Sequence, residues 1–297
     1  MTDHAVPQSP AAHRRTHVVT GADSGIGAEL VGLLRSAGDR VITCGLGDGA
    51  DVRADLATTS GRAALVTAVE RLAPDGVDGV ALVAGIDDRG PATVSVNYFG
   101  TIAVLDGLRP LLARRPAPRA TVVTSASSLS AGDPAIVEAC LAGDEAAARA
   151  AAGGAAGRGR GAVIYRSTKI ALNRWVRRQA ADARWAGAGI TLNAVAPGVV
   201  DTETARRTML GNAAQARILA EALPQPLGIP GPVRAVASAI AWTLAEENAF
   251  MTGQVLFVDG GADAVLRGEG PYEDGVRYSP AAVARMVFWS AVARLRR

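Results

Sequence analysis

The chain has 297 residues, 49% of them hydrophobic, and a formal net charge of only +3 at pH 7. This length and apolar content suffice for one large α/β domain, and basic residues scattered along the chain argue against a nucleic-acid partner. The two cysteines, Cys44 and Cys140, lack paired spacing, which argues against a disulfide framework or a metal site and predicts a reducing, cytoplasmic location.

Residues 1–15 are polar, contain two prolines and show no periodicity, which predicts a disordered leader. No apolar run has the length of a signal peptide or of a membrane-spanning helix. We therefore expect no membrane partner.

From residue 16 onwards, short runs rich in Val, Ile and Leu alternate with longer amphipathic segments. This rhythm is typical of βαβ units around a buried parallel sheet. We predict an α/β fold of the doubly wound, Rossmann type: a seven-stranded parallel sheet with helices on both faces, in one catalytic domain over residues 16–268. The predicted strands are 17–20, 40–44, 50–55, 79–84, 120–125, 189–195 and 254–259, and the predicted helices are 25–37, 58–72, 93–114, 162–185 and 232–246.

The first predicted strand leads into TGADSGIG, residues 20–27, and then into a helix. Gly21, Gly25 and Gly27 permit a tight turn and close backbone approach, and the helix N-terminus offers free N–H groups to a pyrophosphate. A turn that uses glycine only for its backbone freedom is the alternative. Because strand, loop and helix are in register, we favour a dinucleotide site. The spacing GxxxGxG differs from the GxGxxG of the standard fingerprint.

The end of the second strand bears on the choice between NAD and NADP. A carboxylate about 20 residues after the glycine loop binds the adenosine ribose of NAD, but Gly45 stands at that position, with Asp48 nearby. Ser24 stands where a basic residue could meet the 2′-phosphate of NADP. The sequence does not decide between NAD and NADP and slightly favours NAD. Asp55 could bond the adenine amino group or belong to the N-cap region of the next helix.

The stretch YRSTK, residues 165–169, contains the only lysine of the chain. Residues four apart share one face of a helix, so Tyr165 and Lys169 should project side by side. A nearby cation lowers the pKa of a phenol, and an ammonium can relay a proton that a guanidinium would hold too tightly. We predict a proton-transfer pair. The alternative is a surface Tyr–Lys pair without chemistry. It is disfavoured because the chain contains no other lysine.

A third participant is predicted at the end of strand 120–125, at the edge where open α/β sheets bind ligands. Ser125 closes that strand, and its hydroxyl can donate to a substrate oxygen or hold the tyrosine. Ser127 and Ser128 follow it, so the alternative is a serine-rich turn without chemistry.

Two segments interrupt the alternation. Residues 131–160, rich in Ala, Gly and Arg with a helical middle, are interpreted as an inserted lid or interface element. The C-terminal extension, residues 269–297, carries helix signals in Ser279 as N-cap and Pro280 at the first position. We expect its helix to dock on its own protein or on a second subunit rather than on a membrane.

Five parts of the chain together resemble the short-chain dehydrogenase/reductase family over residues 16–268. They are TGADSGIG, TVSVNYFG (93–100), the serine cluster, YRSTK and LNAVAPGVVDT (192–202). Within this match, three parts look like the family's bacterial 3α-hydroxysteroid dehydrogenase/carbonyl reductase subgroup: TVSVNYFG, the insertion and VDGGADAVLRG (258–268). The resemblance implies reversible hydride transfer between NAD, or NADP, and a small secondary alcohol or ketone. It also implies a homodimer or homotetramer and no metal.

The family's residue roles carry over to the matching positions. Tyr165 would be the general acid/base, Lys169 would lower its pKa and bind the nicotinamide ribose, and Ser125 would polarise the carbonyl. Asn97 would hold a water that links Lys169 to solvent. Val83 stands where the family usually has an asparagine. The residues that would bind the cofactor are Gly21, Asp23, Ser24, Gly25, Ile26, Gly27, Asp55, Leu56, Ala84, Gly85, Tyr165, Lys169, Pro197, Gly198, Val199 and Thr202.

Residues 201–232 lie where the family places a mobile substrate lid. Arg206 and Arg207 could clamp an acidic substrate there, or they could simply be exposed helix arginines. The expected substrate is a hydroxysteroid-like, alicyclic or aromatic carbonyl compound. Two other functions are compatible with these motifs. One is a non-catalytic dinucleotide-binding interaction protein, against which the complete set of catalytic positions argues. The other is a dehydratase or epimerase that uses the bound cofactor.

Overall fold

The structure is a computed structural model that describes residues 14–295. Most of the predicted leader therefore lies outside the described residues. Its last residue, Arg15, is buried, and its guanidinium donates to the carbonyl oxygens of Leu244 at 2.5 Å and Asp78 at 3.2 Å. Arg15 thus belongs to the folded part of the chain.

A parallel sheet forms the centre of the molecule and confirms the predicted fold class. Its seven strands lie in the order β3-β2-β1-β4-β5-β6-β7. Val18 of β1 pairs with Ile42 on one side and Val80 on the other, and all three are buried because helices cover both faces. The strands are β1 (Thr16–Thr20), β2 (Arg40–Gly45), β3 (Val52–Arg53), β4 (Gly79–Leu82), β5 (Arg119–Val123), β6 (Thr191–Pro197) and β7 (Val255–Val258).

Helices α1 and α10 pack on one face of the sheet, and α2, α4 and α7 pack on the other. Short helices follow β6 and β7. The helices are α1 (Gly25–Ser36), α2 (Thr59–Leu72), α3 (Pro91–Val94), α4 (Thr101–Leu112), α5 (Pro134–Ala142), α6 (Glu145–Gly157), α7 (Ala162–Gln179), α8 (Glu203–Ala205), α9 (Ala213–Ala222), α10 (Val233–Leu244), α11 (Ala262–Arg267), α12 (Gly270–Glu273) and α13 (Pro280–Leu295).

Helix α7 ends at Gln179, whereas the sequence predicts a helix to residue 185. The cause is Asp182, whose carboxylate accepts the backbone N–H of Arg184 at 2.7 Å and of Trp185 at 3.2 Å. Such side-chain bonds compete with the helical ladder and turn the chain. Trp185 is then buried edge-on against Trp175, with ring centroids 6.1 Å apart.

The helix predicted over 93–114 is interrupted by a π-helical turn, Ser95–Gly100, between α3 and α4. One extra residue in a turn shifts the side chains that follow, and such turns are frequent at functional sites. Here the turn carries Asn97, which is fully buried.

The inserted segment forms α5 and α6, which pack against α7 and α3. Ile136, Cys140 and Ala148 are buried in the main hydrophobic core. A bidentate ion pair joins Glu145 of α6 to Arg62 of α2 at 2.7 and 2.8 Å. The two helices are therefore an integral layer of the fold.

The C-terminal helix begins where the sequence predicts. The Ser279 hydroxyl accepts the N–H of Ala282 at 3.2 Å, and Pro280 is the first helical residue. Phe288 and Trp289 remain 58% and 63% exposed on its surface. Over residues 14–295, no helix combines the length and apolarity needed to cross a membrane.

Candidate active site

A cleft of about 580 Å³ opens at the carboxyl ends of β1, β4, β5 and β6. Its walls come from the glycine loop, the strand ends, α7 and the segment after β6. This is the edge at which open parallel sheets bind ligands. A second groove of about 410 Å³, lined by Arg15, His17 and Asp39 among others, lies at the opposite edge and contains none of the predicted site residues.

The predicted proton-transfer residues meet in the cleft. Helix α7 presents Tyr165 and Lys169 one turn apart, and the Lys169 Nζ atom lies 5.4 Å from the centroid of the tyrosine ring. Lys169 is buried and donates to the Val123 carbonyl oxygen, at the end of β5, at 2.9 Å. Ser125 lies two residues after β5 and hydrogen-bonds the Tyr165 hydroxyl. Two side chains of α7 and one from the segment after β5 thus meet in the cleft.

Burial has the largest effect on the pKa values of Tyr165 and Lys169. It raises the pKa of Tyr165 to about 12, an effect that the hydrogen bond with Ser125 opposes and the charge of Asp87 increases. Burial also lowers the pKa of Lys169 to about 8. The sequence predicts that Lys169 lowers the tyrosine pKa; in the structure the ammonium lies over the ring and donates to Val123, and the opposing contact comes from Ser125. The Tyr165 phenol is therefore protonated at neutral pH, beside an amine whose pKa is below that of an ordinary lysine.

Asn97 lies behind these residues rather than in the cleft wall. Its side-chain amide accepts the Ile86 N–H at 2.8 Å and donates to the Ile86 carbonyl at 2.9 Å and to the Thr168 hydroxyl at 3.3 Å. A Cβ added to Gly85 would lie 3.3 Å from Asn97 Oδ1 and 3.5 Å from Lys169 Nζ. Asn97 and Lys169 thus approach the same stretch of backbone, and the role of Asn97 in holding a water stays a prediction.

The glycine loop has the geometry of a pyrophosphate cradle. Gly21 has φ +66°, and a Cβ there would lie 2.8 Å from the Cα of Ala84. A Cβ on Gly27 would overlap the carbonyl oxygen of Gly21. Ser24 leaves the start of α1 without a side-chain cap, so the first N–H groups of α1 are available to an anion. The residues present therefore fit a dinucleotide.

The structure adds Thr20, which the sequence analysis did not single out. Its hydroxyl accepts the backbone N–H groups of Val83 and Ala84, each at 3.1 Å. This holds the end of β4 beside the glycine loop, where Ala84 and Gly85 line the cleft. Its position at the start of TGADSGIG could have indicated the role.

The end of β6 supplies the opposite wall of the cleft through Pro197, Gly198, Val199 and Thr202, and their contact with a nicotinamide stays a prediction. Gln225 fixes this wall from behind. Its amide accepts the Val199 N–H and donates to the Val199 carbonyl at 3.3 Å and the Gly228 carbonyl at 3.1 Å. The sequence gives no signal for Gln225, because it lies 26 residues from Val199.

The lid arginines do not enter the cleft. Arg206 forms a bidentate ion pair with Asp201 at 2.5 and 2.6 Å, and both Arg206 and Arg207 are exposed. Their interpretation as exposed helix residues is therefore favoured over a substrate clamp. Leu219, Ala222 and Leu223 of the same segment do line the cleft.

The remaining predicted contacts divide into two groups. Ser24, Gly25 and Ile26 line the cleft. Asp55 accepts the Ala57 N–H at 2.9 Å in the turn before α2, whose N-cap is Thr58, and its bond to the adenine stays a prediction. Leu56 is buried beside it. Asp23 points its carboxylate to the loop after β2.

Comparisons with known proteins agree with this geometry. A family model described as enoyl-(acyl carrier protein) reductase matches residues 21–263. The 3-alpha-hydroxysteroid dehydrogenase/carbonyl reductase of Comamonas testosteroni is 34% identical over 258 residues, which cover 84% of this chain and 97% of that protein. The cis-4-hydroxycyclohexanecarboxylate dehydrogenase of Sinomonas cyclohexanicum is 30% identical over 267 residues, covering 84% and 97% of the two chains.

Among solved structures, the 3-alpha-hydroxysteroid dehydrogenase from Pseudomonas sp. B-0831 complexed with NADH is similar to this chain with a TM-score of 0.76. The two are 38% identical, and the match covers 86% of this chain and 99% of that one. Together with the family model, these relatives confirm the resemblance stated from the sequence. The chain belongs to the short-chain dehydrogenase/reductase family of NAD(P)-dependent oxidoreductases.

Proposed function

We propose that the chain interconverts a secondary alcohol and a ketone, with NAD or NADP as the hydride carrier. One observation carries the proposal: Tyr165, hydrogen-bonded to Ser125, and the buried Lys169 meet in the same cleft as the glycine cradle. The family membership supports the same reaction class.

The chain's own residues account for the proton transfer. A nicotinamide held beside the Pro197–Val199 wall would supply or accept the hydride. Tyr165 carries its proton at neutral pH, since its pKa is raised to about 12, and donates it to the oxygen of a ketone that is being reduced. Ser125 hydrogen-bonds the same oxygen. Lys169, whose pKa is lowered to about 8, can then return a proton towards Tyr165.

The cleft favours an alicyclic substrate. Val200, Leu219, Ala222 and Leu223 give it an apolar wall, while Arg166 and Glu203 are among its polar residues. Apolar walls with few polar groups suit a ring compound that carries one reactive oxygen. By their names, the two relatives compared above act on a hydroxysteroid and on cis-4-hydroxycyclohexanecarboxylate, both of which are alicyclic alcohols.

Replacement of the proton donor tests the proposal. Tyr165→Phe removes the donor hydroxyl but keeps the ring, and we expect the turnover of alicyclic ketones to fall by about 10²-fold or more. Absorbance of the reduced nicotinamide measures the rate. Tyr272→Phe, at a position 89% exposed on α12, is the matched control and should retain full activity. Wild-type rates in Tyr165→Phe would refute the assignment.

We further propose a homo-oligomer in a reducing compartment. The exposed aromatic residues of α13, Phe288 and Trp289, support an interface between subunits. Cys44 and Cys140 are both free and buried, which agrees with a reducing environment.

A further inference from the structure

Asp23, in the middle of the glycine loop, reaches across to the loop that follows β2. Its Oδ2 atom accepts the backbone N–H of Leu46 at 2.8 Å and of Gly47 at 3.1 Å. The side chain is exposed, and within residues 14–295 its Oδ1 atom has no hydrogen-bond donor. The carboxylate is thus fixed through one oxygen, and the other can accept bonds from a ligand.

Gly45, the last residue of β2, makes room for this carboxylate. A Cβ added to Gly45 would overlap Asp23 Oδ2 and would lie 2.5 Å from Asp23 Cγ. In a Rossmann fold, a carboxylate at the end of the second strand binds the adenosine ribose. Here the Asp23 carboxylate occupies the space that such a side chain would need, and it comes from the preceding loop.

The charges around this position disfavour a phosphate. Residues 20–27 and 45–52 contain no lysine or arginine, but they contain three aspartates, Asp23, Asp48 and Asp51. The nearby Arg53 donates to Asp48 at 2.7 Å, and Asp51 is engaged by the N–H and hydroxyl of Thr43. A ribose 2′-phosphate would therefore meet the Asp23 carboxylate, while the nearby Arg53 guanidinium is already paired with Asp48.

We propose that Asp23 selects NAD(H) over NADP(H) in this chain. Its carboxylate accepts hydrogen bonds from the hydroxyls of the adenosine ribose and repels a 2′-phosphate, and Gly45 is the small residue that lets it do so. The inference rests on the proposed function, because it places a dinucleotide on the glycine loop.

Calorimetric titration of the full chain with NADH and with NADPH, in the absence of substrate, tests the selection directly. We expect the wild type to bind NADH on the order of 100-fold more tightly than NADPH, and Asp23→Asn to reduce that ratio about tenfold, since only the charge is removed. Asp75→Asn removes an exposed carboxylate before β4, at the opposite edge of the sheet, and should leave the ratio unchanged.

A relocated carboxylate separates the contact from general charge effects. Gly45→Asp alone should weaken binding of both nucleotides, because its side chain overlaps Asp23. The same substitution combined with Asp23→Ala should restore the preference for NADH that Asp23→Ala alone loses. Such strong non-additivity is the mark of two side chains that compete for one space.

The outcomes distinguish this inference from the proposed function. Equal affinity of the wild type for both nucleotides, or an unchanged ratio in Asp23→Asn, would overturn the role of Asp23 and leave the oxidoreductase in place. Failure of the wild type to bind either nucleotide would overturn both.

Discussion

At the scale of single residues, Lys169 shows how strongly one position constrains side-chain chemistry. Its Nζ atom donates to the Val123 carbonyl and has a pKa lowered to about 8. We expect Lys169→Arg to lower kcat for an accepted ketone by about 10²-fold, because a guanidinium does not release its proton at neutral pH and so cannot relay it.

Steady-state kinetics of the purified variant provides the measurement. Arg174→Lys, the reverse exchange on an exposed part of α7, serves as the control and should leave kcat unchanged. Full activity of Lys169→Arg would show that the lysine does not act as a proton relay.

The sequence predicts those site residues whose geometry is local. Tyr165 and Lys169 follow from four-residue helical spacing, and the glycine cradle follows from a strand, loop and helix in succession. Gln225 could not be predicted, because its contacts with Val199 exist only once the lid segment has folded against β6. The pKa of Tyr165 also depends on burial, which no spacing in the sequence reports.

At the scale of elements, the ion pair between α2 and α6 holds the inserted helices to the sheet layer. Arg62 is buried, donates to the carbonyls of Leu56 and Ser95, and is paired with Glu145, whose side chain is 29% exposed. We expect Glu145→Gln to lower the free energy of unfolding by about 2 kcal/mol, since it leaves a buried guanidinium without its counter-charge while solvent reaches part of the site.

Chemical denaturation at neutral pH measures this loss. The matched control is Glu138→Gln, which breaks the exposed pair between Glu138 and Arg174 and should change stability by less than about 1 kcal/mol. Equal effects of the two substitutions would show that the α2–α6 pair has no special weight.

Elements with strong patterns are predicted closely. The helix expected at 25–37 is observed at Gly25–Ser36, and the one expected at 232–246 is observed at Val233–Leu244. The short helices after β6 were expected only as a lid, because that expectation came from the family resemblance and not from the pattern of the segment itself. The early end of α7 depends on the side chain of Asp182 rather than on hydrophobic periodicity.

At the scale of the whole molecule, a buried histidine links folding to pH. Burial and the charge of Arg15 lower the pKa of His17 to about 4, against the opposing effect of Asp39, which lies 3.1 Å away. The unfolded chain therefore takes up this proton first as the pH falls from about 6.5. Stability is fully present above that pH and falls by about 3 kcal/mol as the pH approaches 4.

Urea denaturation between pH 4 and 7.5 tests this dependence. His17→Gln removes the titrating group at a similar volume, and we expect its free energy of unfolding to fall less steeply with decreasing pH than that of the wild type. Parallel pH profiles for the two proteins would contradict the assignment to His17.

The overall architecture was predictable because alternating strands and helices leave few ways to build a parallel sheet with right-handed crossovers. The structure has the seven-stranded parallel sheet that the sequence predicts. The arrangement of subunits is not accessible in the same way, since it depends on how exposed surfaces such as that of α13 match a second copy.

The single lysine also makes the molecule chemically addressable. Apart from the α-amino group, Lys169 provides the chain's only aliphatic amine, and a pKa of about 8 leaves more of it in the nucleophilic, neutral form than an ordinary lysine has. An amine-selective acylating reagent small enough to enter the cleft would therefore label one side chain. Intact-mass spectrometry could then read the accessibility of the cleft as the presence or absence of one added group beyond that on the α-amino group.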